Sequence, residues 1–554
     1  MLKKTIQSLI IGLFIFLSTI LHAQTKNLLL EAMQDEMKRN MSDLVLEGYA
    51  RPFFINYSLL EENSFQIVAS LGALDQISEH SSRNKSSVRI LVGDYNFNDE
   101  SLDNNLFSQS QANEIDLPLD DDYLGVRRSF WITTDNVYKN AARQFKKNQE
   151  MLKEQAKPLS EIPHRTFAKT PVSNIDIEGE SYVINRTELE NYIRVLSSVF
   201  SAYPDITNSA VVFRFSQGYK YLINSEGSVN RIPFSLGTLQ ITAQMKTKDG
   251  GMHFDQRVEL CSKPDQLPGL EKIKAEVKAM ADGIIGQSNF DLFKEEYTGP
   301  ILFTDKAVSQ LFLTNLFSED GLIATNTIPG LRGYRQDQSG TTETKIGKLL
   351  FAEGMTVKAL PKLKTYNNTE LLGSFQVDDE GVVPEDETVL IEKGVLKNVL
   401  NDRTLTKEGQ VANGLGFGPG VVDVSLATFN TSAELKAKLI AQAKKEGLEY
   451  GLLIKDAALG GIGLVDVYKV SVENGKEELL RAAVLKPITL KNFRKILGAT
   501  KERTVQNTFF GGSGRGDVIS FIVPQALLLE EGELVEARMP FFTEEEFVPS
   551  PLKK

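Results

Sequence analysis

Cysteine, histidine and tryptophan are nearly absent from this 554-residue chain, which has one cysteine (Cys261), one tryptophan (Trp131) and four histidines. A single cysteine excludes an intrachain disulfide framework, a cysteine-ligated iron–sulfur cluster and a cysteine-rich zinc ribbon. His22 lies in an N-terminal segment with the features of a removable leader. His80, His164 and His253 are scattered, so no pair of histidines stands at the one-turn spacing of a helical zinc hydrolase. Clustered basic residues are also missing. The formal net charge is −11, and the densest basic stretch, 143–157, is interleaved with Glu150 and Glu154 as on a solvated helix face. Nucleic-acid binding needs clustered Lys and Arg facing phosphates, so no nucleic-acid partner is expected. Long apolar runs are absent after the leader, and no membrane span is expected.

The first 23 residues carry the pattern of a secretory signal. Lys3 and Lys4 precede an apolar run from Leu9 to Ile20, and Leu21-His22-Ala23 resembles a cleavage site before Gln24. The run is too short to cross a bilayer core of roughly 30 Å. No cysteine follows it, which excludes a lipid-anchored lipoprotein. The expectation is an exported protein, periplasmic or secreted.

With 41% apolar residues, the chain can bury substantial cores. Leu29, Met33, Met37 and Met41 recur every four residues and predict a helix over about 25–46. Three β-rich runs follow, starting at Phe53, Ser64 and Ser87, with polar turns expected at Glu61-Glu62-Asn63 and over 81–87. After a polar loop over 96–122, a long helix is expected over about 126–155, with Phe130, Trp131, Val137, Tyr138, Ala141 and Phe145 on its apolar side. The three prolines of 156–173 mark a linker or a strap across a surface, in which His164 has no ligand neighbours. A helix over 185–202 is followed by three or four strands between Ser209 and Lys246, with a turn at Ser225-Glu226-Gly227. His253 falls in a strand or turn, and a further helix covers 271–282.

From Gly299 the pattern is β-rich and punctuated by glycine. It is interrupted by a helix that Thr431 and Glu434 cap as a box and Gly447 ends. Asn474-Gly475 signals a hairpin. The expected organisation is therefore a leader (1–23), an N-terminal α+β subdomain (24–155), a linker (156–173), a second part of the N-terminal region (174–298) and a C-terminal β-rich domain (299–554). The fold class is α+β, with N-terminal helices on an antiparallel sheet.

Three segments invite a chemical reading. Asp378-Asp379-Glu380-Gly381 supplies adjacent acids that could bind a metal or serve as acid and base if other side chains converge on them. Its plainer reading is a turn, with Gly381 in the special backbone conformation. Gly460-Gly461-Ile462-Gly463 precedes a strand rather than a helix, so it lacks the helix N-terminus of a phosphate cradle. Gly511 to Asp517 lacks the Gly-Lys-Ser/Thr of a P-loop. No Gly-x-Ser-x-Gly elbow occurs.

In combination, several blocks resemble the TldD/PmbA family of metallopeptidases and their partners. They are Leu372 to Val382 with its Asp-Asp-Glu-Gly, Val389 to Asn398, Tyr450 to Ser471, and Arg481 to Leu485. Upstream, Val126 to Lys139 resembles the helix of exported relatives. In the TldD branch, this resemblance implies a zinc site made by His-Glu-x-x-x-His on a helix and a later cysteine, with the Glu activating water. The matching positions here are 304–317, which contain neither histidine nor glutamate, and Gly511 to Gly516, which contain no ligand. No catalytic, cofactor-binding or metal-binding residue is therefore carried over.

The resemblance thus points to the PmbA (TldE) side: a non-catalytic subunit of an exported peptidase acting on unfolded peptides. Zinc would come from a TldD-like partner carrying His-Glu-x-x-x-His, or the chain would pair with itself as a homodimer. The alternatives are a stand-alone peptide-binding scaffold and an unrelated hydrolase built on Asp378 and Asp379.

Overall fold

The computed structural model describes residues 27–102, 114–155, 157–162, 164–246, 252–287, 293–317, 345–405, 410–457, 465–480, 483–509, 518–536 and 551–552. The leader, the glycine segments 460–463 and 511–517, and Arg481 lie outside them.

The fold is α+β. The N-terminal region forms one eight-stranded, mainly antiparallel sheet. Its central path runs Glu114–Ile115, Ser86–Val92, Pro52–Ser70, Ile206–Asn224, Val229–Lys246 and Asn174–Asp176, with Ala73–Ser82 and Met252–Cys261 added at the sides. Strands from before and after 156–173 therefore share one sheet. Pro52–Ser70 is a single 19-residue strand, so the turn expected at Glu61-Glu62-Asn63 does not form. Its pairing with Ile206–Asn224 is unbroken from Asn56↔Asn224 to Ala69↔Val211. The polar residues in its middle are matched from outside the pair: Arg83 Nη2 binds Glu61 Oε1 at 2.5 Å and Lys85 Nζ binds Glu62 Oε2 at 3.1 Å.

Between Ser209 and Lys246 there are two long strands rather than three or four. They meet at the expected turn after Asn224. Ser216, Gln217 and Gly218 interrupt the apolar alternation there, but they pair with Leu236, Ser235 and Phe234 and keep the ladder continuous.

Alternation along these strands separates two faces. Tyr57, Leu59, Phe65, Ile67 and Ala69 share one face of Pro52–Ser70, as do Val211, Phe213, Phe215, Tyr221 and Ile223 on its neighbour. All are buried. One end of this face is covered by Leu28–Asp43 and Tyr123–Gln155, the other by Arg186–Ser198 and Leu270–Gln287. Trp131 does not join the buried stripe of its helix and is 48% exposed. It lies one position past Phe130, about 100° around the helix from the core-facing side. The opposite face of the sheet carries Phe54, Arg89, Leu91 and Lys220, and it meets the C-terminal half.

That half contains an eight-stranded and a six-stranded sheet, mostly antiparallel, with parallel pairs such as Tyr297–Thr304 beside Tyr450–Ala457 and Val421–Leu426 beside Val518–Pro524. Both sheets contribute to one core, in which Ile301, Phe303, Leu527 and Leu529 join Val357, Val422 and Phe521. Helix Ser432–Lys445 begins with the expected capping box: Thr431 Oγ1 accepts from Glu434 N at 3.2 Å and Glu434 Oε2 from Thr431 N at 2.8 Å. It ends at Gly447, whose φ is +74°. Thr431→Ala is expected to lower stability by about 1 kcal/mol, read as a downward shift in the urea midpoint with unchanged m-value. The Asn474-Gly475 turn forms as expected, with Gly475 at φ +69°.

Candidate functional site

Two places merit a functional reading: the helix at the position that zinc would require, and the acidic turn at 378–381.

Lys306–Phe312 is a helix continued by a π-turn over Leu313–Phe317, directly after the strand Tyr297–Thr304. Ala307, Val308, Leu311, Phe312, Leu313, Leu316 and Phe317 are buried in the core shared by the two C-terminal sheets. Ser309 Oγ turns back to donate to Lys306 O at 2.9 Å, and Asn315 Nδ2 donates to Leu311 O at 2.7 Å. Zinc needs imidazole, thiolate or carboxylate ligands arranged tetrahedrally. This stretch offers only the carboxylate of Asp305, which is exposed at the helix start. Among the described residues, no three His, Cys, Asp or Glu side chains are grouped to hold a metal. The described residues of this stretch therefore do not fit a zinc ion.

The histidines are dispersed. His80 is exposed on the strand Ala73–Ser82, His253 is buried on the strand Met252–Cys261, and His164 lies in the strap with Nδ1 2.7 Å from Ile162 O.

Asp378-Asp379-Glu380-Gly381 forms the turn that its glycine suggested. Asp378 Oδ1 accepts from Glu380 N at 2.9 Å and Val382 N at 2.8 Å, and Gly381 adopts φ +81°. The turn sits against the far face of the N-terminal sheet, where its acids meet bases from that region. Asp379 pairs with Lys220, and Glu380 Oε1 pairs with Arg89. Glu380 Oε2 accepts from Arg403 N at 2.7 Å, and Ser173 Oγ donates to Gly381 O at 2.8 Å. Arg89 also binds Glu100 Oε2 at 2.5 Å and Thr404 Oγ1 at 2.9 Å.

Arg403, from the C-terminal half, is fully buried in this junction. Its Nε and Nη2 donate to Ala168 O at 2.9 and 2.7 Å, and Nη2 also binds Glu226 Oε1 at 2.8 Å. The guanidinium lies 4.7 Å from the ring centre of Phe54 and 4.2 Å from that of Phe167. Beside it, Thr404–Leu405 pairs with Thr166–Phe167 of the strap.

Burial and the charge of Glu380 push the Asp402 carboxyl up to about 7, against the attraction of Arg89. Burial and Glu380 likewise raise Asp378, and burial and Glu100 raise Asp99. Burial opposes the charge on Arg89, but Glu100 and Glu380 outweigh it and the guanidinium is held more firmly protonated. The two acids considered for a hydrolase are thus occupied in place: Asp378 shapes the turn and Asp379 pairs with Lys220.

Sequence reasoning singled out the acidic turn but not its partners. Arg89 is a lone cation in the strand Ser-Ser-Val-Arg-Ile-Leu-Val, where alternation with Val88 and Ile90 assigns it to the face away from the helices. That was the available signal. Arg403 lies in a polar stretch of the sequence with no such pattern.

Residues 296–535 match the model of the PmbA/TldA metallopeptidase C-terminal domain. Over this span the chain is similar to the TldD/PmbA family. This match covers the Asp-Asp-Glu-Gly segment and the strands that follow it, where the sequence resemblance lies.

Solved structures share the TldD/PmbA-like fold across both halves. TldE from Thermococcus kodakarensis superposes with a TM-score of 0.53 at 11% identity, covering 91% of this chain and 100% of that one. A candidate modulator of DNA gyrase from Thermotoga maritima gives 0.54 at 18%, covering 87% and 96%. Another from Bacteroides thetaiotaomicron gives 0.56 at 12%, covering 93% and 99%. No curated protein matches the chain. No described helix is long and apolar enough to cross a membrane.

Proposed function

We propose that this chain is the non-catalytic, PmbA/TldE-like subunit of an exported peptidase, and that zinc and the water-activating glutamate reside in a TldD-like partner. One observation carries the reading. The helix that would present the ligands is built of core side chains, and Phe312, Leu316 and Phe317 occupy the space between the two C-terminal sheets. A side chain packed this way contributes stability and has no lone pair to offer a metal. Export is inferred from the leader pattern of residues 1–23. A peptide substrate is inferred from the family, and in this reading the chain supplies binding surface rather than chemistry.

The test is metal analysis of the purified protein, followed by mixing with a family member that carries His-Glu-x-x-x-His. Less than about a tenth of an equivalent of zinc per chain is expected from the single-ligand stretch. Hydrolysis of an unfolded peptide is expected only in the mixture. One equivalent of zinc removed by a chelator, or hydrolysis by this chain alone that chelation abolishes, would overturn the reading.

A further inference from the structure

We infer that the outward side of helix Tyr123–Gln155 is where a second copy of this chain docks, by antiparallel, two-fold pairing of the helix with its counterpart. The inference goes beyond the proposed function and does not rest on it. The inner side of this 33-residue helix, with Val126, Phe130, Val137 and Ala141, is buried against Leu28–Asp43 and the N-terminal sheet. Leu124, Trp131 and Ile132 are instead 70%, 48% and 51% exposed. At 100° per residue, Leu124, Arg128, Trp131, Ile132, Asp135 and Lys139 fall within an arc of about 100°, centred roughly opposite the buried stripe. The chain's one tryptophan thus stands half exposed in the middle of an apolar patch.

The order of residues along this side fits a copy of itself. In a two-fold pairing every contact occurs twice, with the roles exchanged. With the axis between Trp131 and Ile132, Trp131 meets the partner's Ile132 and Arg128 meets the partner's Asp135. Leu124 meets the partner's Lys139, whose methylene stem covers it while the ammonium stays in water. Arg128 is exposed and makes no ion pair among the described residues, whereas Asp135 accepts from Lys139 Nζ at 2.5 Å one turn along its own helix.

Charge at the two ends decides the orientation and the occupant. The exposed acids Asp120, Asp121 and Asp122 precede the start of the helix, and Arg143, Lys146 and Lys147 are exposed toward its end. Antiparallel pairing brings the acidic end of each copy to the basic end of the other, whereas parallel pairing sets like charges side by side. An anionic lipid surface would repel the acids that flank Leu124. One helix side buries less than the roughly 1,200 Å² of a standard interface, so the pairing is weak and concentration-dependent.

Sedimentation velocity of the purified chain, from micromolar to near-millimolar concentration, tests this alongside the emission of Trp131, its sole tryptophan. The mass should rise toward that of a dimer, and the emission should move to shorter wavelength in step as the indole leaves water. Arg128→Asp and Asp135→Arg should each weaken association by about tenfold or more, because each sets like charges opposite one another twice. Combining them should restore it to within about threefold of the wild type. Ile132→Glu, at an exposed position outside the core, should abolish association and serves if a charge variant does not fold. A chain that stays monomeric overturns the inference, as does a dimer that none of these changes weakens, or a double charge variant as weak as the singles. An emission shift caused by lipid vesicles or by a different protein, without self-association, overturns it in favour of that occupant.

Discussion

Arg403→Ala should destabilise the protein by about 3–5 kcal/mol, the usual result of removing one partner of a buried ion pair. The side chain is fully buried, and its loss leaves Glu226, itself 90% shielded, facing Ala168 O and the Tyr95 hydroxyl without a cation. The rings of Phe54 and Phe167 lose the guanidinium packed over them, and Ala168 O loses the two hydrogen bonds from the Arg403 side chain. Urea unfolding monitored by circular dichroism reads the effect. A companion pair identifies its origin. Arg403→Met combined with Glu226→Gln should cost markedly less than the sum of the two single changes, because the double variant leaves no uncompensated charge. Additive losses would mean that the two residues do not share an interaction.

Phe312→Ala is the second large effect expected, again about 3–5 kcal/mol. Phe312 is completely buried, 5.9 Å centre to centre from Phe493, which in turn lies 6.1 Å from Phe351. Truncation opens a cavity lined by rigid aromatic rings and strand residues that have little freedom to collapse. On a helix presenting ligands into an open groove, an outward-facing substitution typically costs within 0.5 kcal/mol. The size of the loss therefore reports what the helix does. A change below about 1 kcal/mol would contradict the core assignment on which the proposed function rests.

Particular elements show how much of this was legible in the sequence. The Thr431/Glu434 cap, the Gly447 stop and the Asn474-Gly475 hairpin were readable because each depends on residues within four positions of one another. The absence of histidine and glutamate from 304–317 was equally plain, since missing residue types need no structure to be noticed. What escaped was long-range. Glu61-Glu62-Asn63 looks like a turn until Arg83 and Lys85 are placed beside it, and those partners come from a separate part of the chain. The junction is the extreme case. Arg89 and Glu380 are 291 positions apart, and Arg403 and Ala168 are 235. Local pattern carries no information about which buried charge will meet which, so the acidic turn could be recognised as a turn but not as half of an interface.

The strand Ala526–Glu536 lies in the interior of its sheet, hydrogen-bonded to Tyr297–Thr304 on one side and Ile496–Thr500 on the other. This places a constraint on biogenesis. During synthesis Tyr297–Thr304 emerges more than two hundred residues before the strand it must pair with, and at roughly 5–20 residues per second that delay is on the order of ten to forty seconds. Through that interval Ile301, Leu302 and Phe303 belong to a nascent segment whose principal neighbour does not yet exist. The eight-stranded sheet of the C-terminal half is therefore completed late. Its folding is timed by the ribosome or by the release of a held, unfolded chain, rather than by the order in which its strands appear.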